Sequence, residues 1–146
     1  MNQRIPTFDN FLFEAGIKYE PGSISELLAG LRGNQEFYDF CKKHGHPNPQ
    51  AWNPMEFTMS SCTFVAKFLE EKGFGKALSS HGPYGMAPHA FVLYNGLYYD
   101  YEAREGVKNV YDLPNFQDLR YNVKKGDSWP NYKKEIVKNV QNFNFQ

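Results

Sequence analysis

The chain has 146 residues, 41% hydrophobic and 22% charged, which suits a single domain, residues 1–146, with one core. Its 16 basic and 16 acidic residues cancel, so the balance favours neither nucleic acid nor an anionic membrane as a partner. No run approaches the ~20 apolar residues of a membrane span, and 13 Phe with 10 Tyr supply enough buried area per side chain for a short chain to close a solid core.

The N-terminus, Met1-Asn2-Gln3-Arg4-Ile5-Pro6, has no apolar stretch of signal-peptide length. Two cysteines, Cys41 and Cys62, are fewer than a secreted disulfide scaffold normally carries. The expected compartment is the reducing cytoplasm, and a protein released by lysis would read the same way. Residues 1–22 read as irregular, broken at Pro6, Gly16, Pro21 and Gly22, with Phe8, Phe11, Leu12 and Phe13 tucked onto the core. Ser23 and Glu26 have the spacing of a capping box, so a helix follows with Leu27, Leu28 and Leu31 on its buried face. A second helix runs through Gln35–Lys43, with Phe37, Phe40 and Cys41 inward. Residues 44–54 are a loop, since His44-Gly45-His46-Pro47-Asn48-Pro49 cannot continue a helix. Next comes a helix opening at Cys62, capped by Ser60 or Ser61, burying Val65, Phe68 and Leu69 and stopping at Gly73. Residues 79–88 form a Gly/Pro-rich loop that contains His81. A hairpin follows, then extended segments over 107–113 and 118–123, the second alternating Leu119, Tyr121 and Val123. A closing helix spans 131–140 with Ile136, Val137 and Val140 inward. Helices first, then an antiparallel sheet, then a terminal helix make an α+β pattern.

The hairpin fixes a register. With Asn95-Gly96 as its two-residue loop, Tyr94 pairs with Leu97, Phe91 with Asp100 and His89 with Glu102. Residues two apart on a strand share a face, so His89, Phe91 and Leu93 lie with Tyr98, Asp100 and Glu102. Asp100 is a diagonal neighbour of His89, roughly 7–8 Å away between Cα atoms, and either acid reaches the imidazole. Ala90, Val92, Tyr99 and Tyr101 take the other face, where the tyrosines fill a sheet surface. Two readings of the His/Asp/Glu cluster compete: solvated strand-end residues, or an acid that fixes the tautomer of a catalytic histidine.

Ser60-Ser61-Cys62-Thr63-Phe64-Val65 followed by His89-Ala90-Phe91-Val92-Leu93-Tyr94-Asn95-Gly96-Leu97-Tyr98-Tyr99-Asp100 resembles the papain-like cysteine hydrolase superfamily. More specifically, it resembles the compact branches: NlpC/P60-type peptidases, bacteriocin-processing peptidases and transglutaminase-like proteins. The resemblance covers roughly 45 residues, from the Cys helix to the Asp strand. It implies a papain-like fold, with the Cys-bearing helix packed on an antiparallel sheet. It also implies Cys62 as nucleophile, His89 as base and then acid, and Asp100 as the residue that orients His89, with Glu102 as the rival for that role. The implied activity is a thiol-dependent peptidase, deamidase or transglutaminase-type transfer on an amide bond of a peptide or protein, with no cofactor. The alternative is a non-catalytic binding or inhibitory module on a degenerate version of the fold. The sequence departs from better-known branches: Thr63-Phe64 stand where Ser-Gly or Trp often follow the cysteine, and no Gln sits a few residues upstream. Gln50, Trp52 and Asn53 are the nearest candidates for an oxyanion donor, with Ser61 and His81 as pocket candidates. The Cys62 N–H at a helix start is a further donor.

Cys41, His44 and His46 supply three metal-type donors at short spacing, but no second Cys/His pair completes a zinc set. Their expected roles are a buried thiol and a histidine complementing a helix C-terminus.

Overall fold

The computed structural model describes residues 19–84 and 86–145. Phe8, Phe11, Leu12 and Phe13, with the breaks at Pro6 and Gly16, lie outside them. Six α-helices and one four-stranded antiparallel sheet make an α+β fold among the described residues.

The first helix, α1 (Ile24–Ala29), has half of the expected box. The Ser23 hydroxyl accepts the Glu26 N–H at 3.1 Å, but the Glu26 carboxylate reaches one residue further back, to the Gly22 N–H at 2.9 Å. Leu28 and Leu31 are fully buried and Leu27 partly so. Helix α2 spans Gln35–Lys43 as read, capped by Asn34, with Phe37, Phe40 and Cys41 buried.

The loop over 44–54 is shorter than expected. A 3-10 turn at Pro49–Ala51 leads into helix α3 (Pro54–Ser60). Its start carries a complete capping box: Asn53 accepts from the Glu56 N–H at 2.8 Å and Glu56 accepts from the Asn53 N–H at 3.1 Å, with Pro54 in the first turn. Helix α4 (Cys62–Glu71) follows after a single residue. The expected serine cap is therefore absent. Ser60 ends α3, and the Ser61 hydroxyl turns back to donate to the Phe57 carbonyl at 2.5 Å. Gly73, at φ +86°, ends α4: its N–H donates to Glu70 and the Phe74 N–H to Leu69, the paired bonds of a Schellman stop.

The strands are β1 (Lys76–Ser80), β2 (His89–Tyr94), β3 (Leu97–Tyr99) and β4 (Gln141–Asn142), in the order β3-β2-β1-β4. Strand β1 was not legible as a strand, and it takes Ser79 and Ser80 from the expected loop. The hairpin is as read: Tyr94 faces Leu97 and Val92 faces Tyr99, with Asn95 and Gly96 at φ +50° and +81°. Alternation splits the sheet into two faces. Ala77, Ala90, Val92 and Tyr99 join the core under α1–α4. Leu78 and Phe91 join a second core with Val110, Leu113, Phe116 and Ile136.

That second core replaces the two expected extended segments. Residues 110–122 form a 3-10 turn (Val110–Asp112), helix α5 (Pro114–Gln117) and another 3-10 turn (Asp118–Asn122). Pro114 in the first turn starts α5 between the two expected segments; the alternating stretch after it is the 3-10 turn Asp118–Asn122, with Tyr121 70% exposed. The closing helix, α6 (Trp129–Lys138), buries Tyr132 and Ile136, but Val137 points to solvent.

Gly75 joins α4 to β1 at φ +89°, where a Cβ would stand 2.2 Å from the Leu93 carbonyl oxygen. Gly75→Ala should cost at least about 2–3 kcal/mol, the backbone strain plus the displaced strand. Gly45→Ala, at φ +99° in open space, should cost about 1 kcal/mol. Urea midpoints of the two variants measure the difference.

Candidate active site

Cys62 is the first residue of α4, partly buried, at the end of the sheet where β3 has stopped. Tyr98 directs its backbone bonds outward to Val107. Tyr99 therefore directs its own to Val92, and Ala90, two residues upstream on β2, points its N–H to the same edge. β3 does not extend that far, and the Ala90 N–H donates to the Cys62 sulfur instead.

The second contact of the thiol is the imidazole of His89, with which it shares a side-chain hydrogen bond. His89 is 6% exposed and Glu102 half-buried, which rules out the reading of His89 as a solvated strand-end residue; Asp100 is 3% exposed. Phe116 closes one side of the imidazole, edge to face at 5.7 Å. The Nε2–H of His89 donates to Asp100 Oδ2 at 2.7 Å, so Nδ1 is the nitrogen left for Cys62.

Asp100 is itself held. Its Oδ1 accepts the backbone N–H groups of Glu102 at 2.9 Å and Ala103 at 2.7 Å, a turn in which an aspartate caps the chain just beyond itself. The turn ends the hairpin ladder before Glu102 can face His89. Asp100 is thus the carboxylate bonded to His89, and Glu102 contributes a backbone donor to it.

Electrostatics follow from this packing. Burial pushes the Cys62 thiol up, but the hydrogen bond and charge of His89 and the Ala90 N–H outweigh it, and the thiol lies below its ordinary value. Burial opposes charge on His89 too, yet the bonds to Asp100 and Cys62 raise it to about 9. Both shifts favour a thiolate–imidazolium pair over two neutral groups. Cys41 is the contrast: burial pushes its thiol up to about 12. Both cysteines are unbridged.

The other expected site residues are engaged elsewhere. Gln50 is exposed on the 3-10 turn, and Trp52 packs against His46, Phe57 and Phe64. Asn53 caps α3. His81 donates from Nδ1 to the Gly82 carbonyl at 2.7 Å, and its own carbonyl accepts from Asn139. Among the described residues none of these side chains hydrogen-bonds to Cys62, His89 or Asp100. His44 stacks on Phe145 at 4.8 Å, and no three His, Cys, Asp or Glu side chains among the described residues could hold a metal ion. No described helix is long and apolar enough to cross a membrane.

The residues missed in the sequence are the Ala90 N–H, the Ala103 N–H and the ring of Phe116. Asp100 followed two and three positions on by backbone donors is a legible turn signal. The other two depend on where β3 stops and on what covers the sheet.

Comparison with protein-family models, curated proteins and solved structures finds no match to the chain.

Proposed function

We propose that the chain is a cysteine-dependent hydrolase or acyltransferase acting on an amide bond of a peptide or protein, on a papain-like arrangement of helix and sheet. The observation that carries the reading is the buried imidazole of His89 held between the Cys62 thiol and the Asp100 carboxylate. The order of Cys helix, His strand and acid at the end of the next strand supports the papain-like comparison.

In this reading the Cys62 thiolate attacks the substrate carbonyl carbon, forming a C–S bond as the carbonyl electron pair moves to oxygen. The first N–H groups of α4 lack intrahelical partners, and Ser61 provides no side-chain cap. The N–H of Cys62 therefore faces the developing oxyanion, assisted by the positive end of the helix. The imidazolium of His89 gives its Nδ1 proton to the departing nitrogen as the C–N bond breaks, which leaves a thioester on Cys62. Neutral His89 then takes a proton from water or an amine as that nucleophile attacks the thioester. Water completes hydrolysis and an amine completes transfer. Asp100 holds the imidazole in one tautomer throughout.

An amino-acid p-nitrophenyl ester tests this. Expected is an acyl adduct on Cys62, found by mass spectrometry of its peptide, absent in Cys62→Ala and discharged faster when an amine is added to a transferase. Acylation confined to other side chains, or none, overturns the reading and leaves the binding-module alternative.

A further inference from the structure

Helix α6 has a second face. Tyr132 and Ile136 are fully buried toward the sheet. Pro130, Lys133, Lys134, Val137 and Lys138 recur at the i, i+3, i+4, i+7, i+8 spacing of one helical stripe, and with Tyr111 they line an open surface cleft of about 480 Å³. Its floor is apolar: Val137 is 53% exposed. Its rim is cationic, and no carboxylate lines it. None of the three ammonium groups has an ion-pair partner among the described residues. Asp112, beside Tyr111, already accepts from Asn109 at 3.2 Å and Gln117 at 3.4 Å. In a chain whose formal charges cancel, three unpaired cations around an apolar floor are a local exception.

We propose that this cleft docks an acidic peptide segment of a partner protein. One bulky aliphatic side chain seats on Pro130, Val137 and Tyr111, and flanking carboxylates meet Lys133, Lys134 and Lys138. A central apolar anchor with a charged rim is the usual division of labour in such contacts. A nucleic-acid strand would use the lysines and leave the floor idle. It would also want an open ring for base stacking, whereas the Lys133 ammonium lies 5.1 Å from the Tyr111 ring centroid. A membrane surface would want a broad apolar face, and among the residues lining this one the exposed apolar side chains are Pro130 and Val137. The cleft belongs to the layer opposite α4, so the proposal is independent of whether Cys62 is catalytic.

Fluorescence anisotropy with the full chain and a fluorescein-labelled peptide of glutamates around a central leucine tests it. Wild type should bind, more weakly as salt rises. The triple variant K133E/K134E/K138E and the single variant Val137→Asp should each lose roughly tenfold or more in affinity, while K133R/K134R/K138R keeps it. If the triple variant fails to fold by circular dichroism, Lys134→Glu, at an exposed position, takes its place with a smaller loss in the same direction. The proposal is overturned by no binding to wild type, by unchanged binding after charge reversal, or by equal binding of a peptide with serine in place of leucine. Tighter binding of a single-stranded oligonucleotide, of phosphatidylserine vesicles or of a second copy of the chain overturns it as well.

Discussion

His89→Ala should return Cys62 to the behaviour of an ordinary thiol and slow acylation at neutral pH by roughly 10²–10⁴-fold. The side chain does two separable things. Its positive charge and hydrogen bond hold the Cys62 thiol below its ordinary value against the opposing effect of burial. In the proposed reaction its proton also goes to the leaving nitrogen of an amide, an effect that a p-nitrophenyl ester, whose phenolate departs unprotonated, does not read. Without the imidazole, the thiol at pH 7 is only a few per cent thiolate, and burial alone would make that fraction smaller. The helix N-terminus and the Ala90 N–H remain, so some residual reactivity persists. Acylation rates of the two proteins with the same p-nitrophenyl ester, measured across pH, check this.

Asp100→Ala has the largest expected effect on stability, a loss of about 3–5 kcal/mol, because it leaves a buried histidine whose positive charge has lost its counter-charge. His89 and Asp100 are nearly inaccessible, so solvent screening does little to soften the loss. The pH dependence has a definite sign. The folded value of His89, about 9, lies above its ordinary 6.5, so the histidine's stabilisation is complete below pH 6.5 and is lost as pH rises through about 9. That gap corresponds to on the order of 3 kcal/mol, in keeping with the expected loss. The difference in urea midpoint between wild type and Asp100→Ala should therefore be largest near pH 6 and shrink toward pH 9. The variant should also lose acylation, since nothing then fixes the tautomer of His89. Asp100→Asn should recover part of the stability, because its carbonyl can still accept the Nε2–H, without recovering the charge.

The local signals in the sequence were strong where a turn or a period determined geometry. Asn95-Gly96 set the register that puts His89 and Asp100 on one face, and the structure keeps that register through Val92 and Tyr99. Gln35–Lys43 and the Cys62 helix followed from spacing alone. Helix α3 carries a legible start, Asn53-Pro54 with Glu56, which the prolines of the preceding loop mask. Strand β1 was not legible in the same way. Lys76–Ser80 carries two serines and little β-branched character, and it is a strand because β2 and β4 pair with it on either side. The apparent alternation of Leu119, Tyr121 and Val123 was a chance period in a segment that folds as short helices over Phe91 and Leu78. That covering layer is also why the burial of His89 could not be read from the hairpin. A strand-end histidine becomes a core histidine only when a distant part of the chain, through Phe116, closes over it.

If Cys62, His89 and Asp100 act as one coupled group, the pH dependence of Cys62 alkylation must report it. Iodoacetamide labelling is followed on the peptide that carries Cys62, with Cys41 as internal control, since burial pushes its thiol up to about 12. Wild-type Cys62 is expected to alkylate at a pH below the ordinary thiol value of about 8.5, His89→Ala to move its profile up into that range or beyond, and Cys41 to stay unlabelled in the folded protein. A Cys62 that follows one ordinary thiol curve in both wild type and His89→Ala would contradict that coupling.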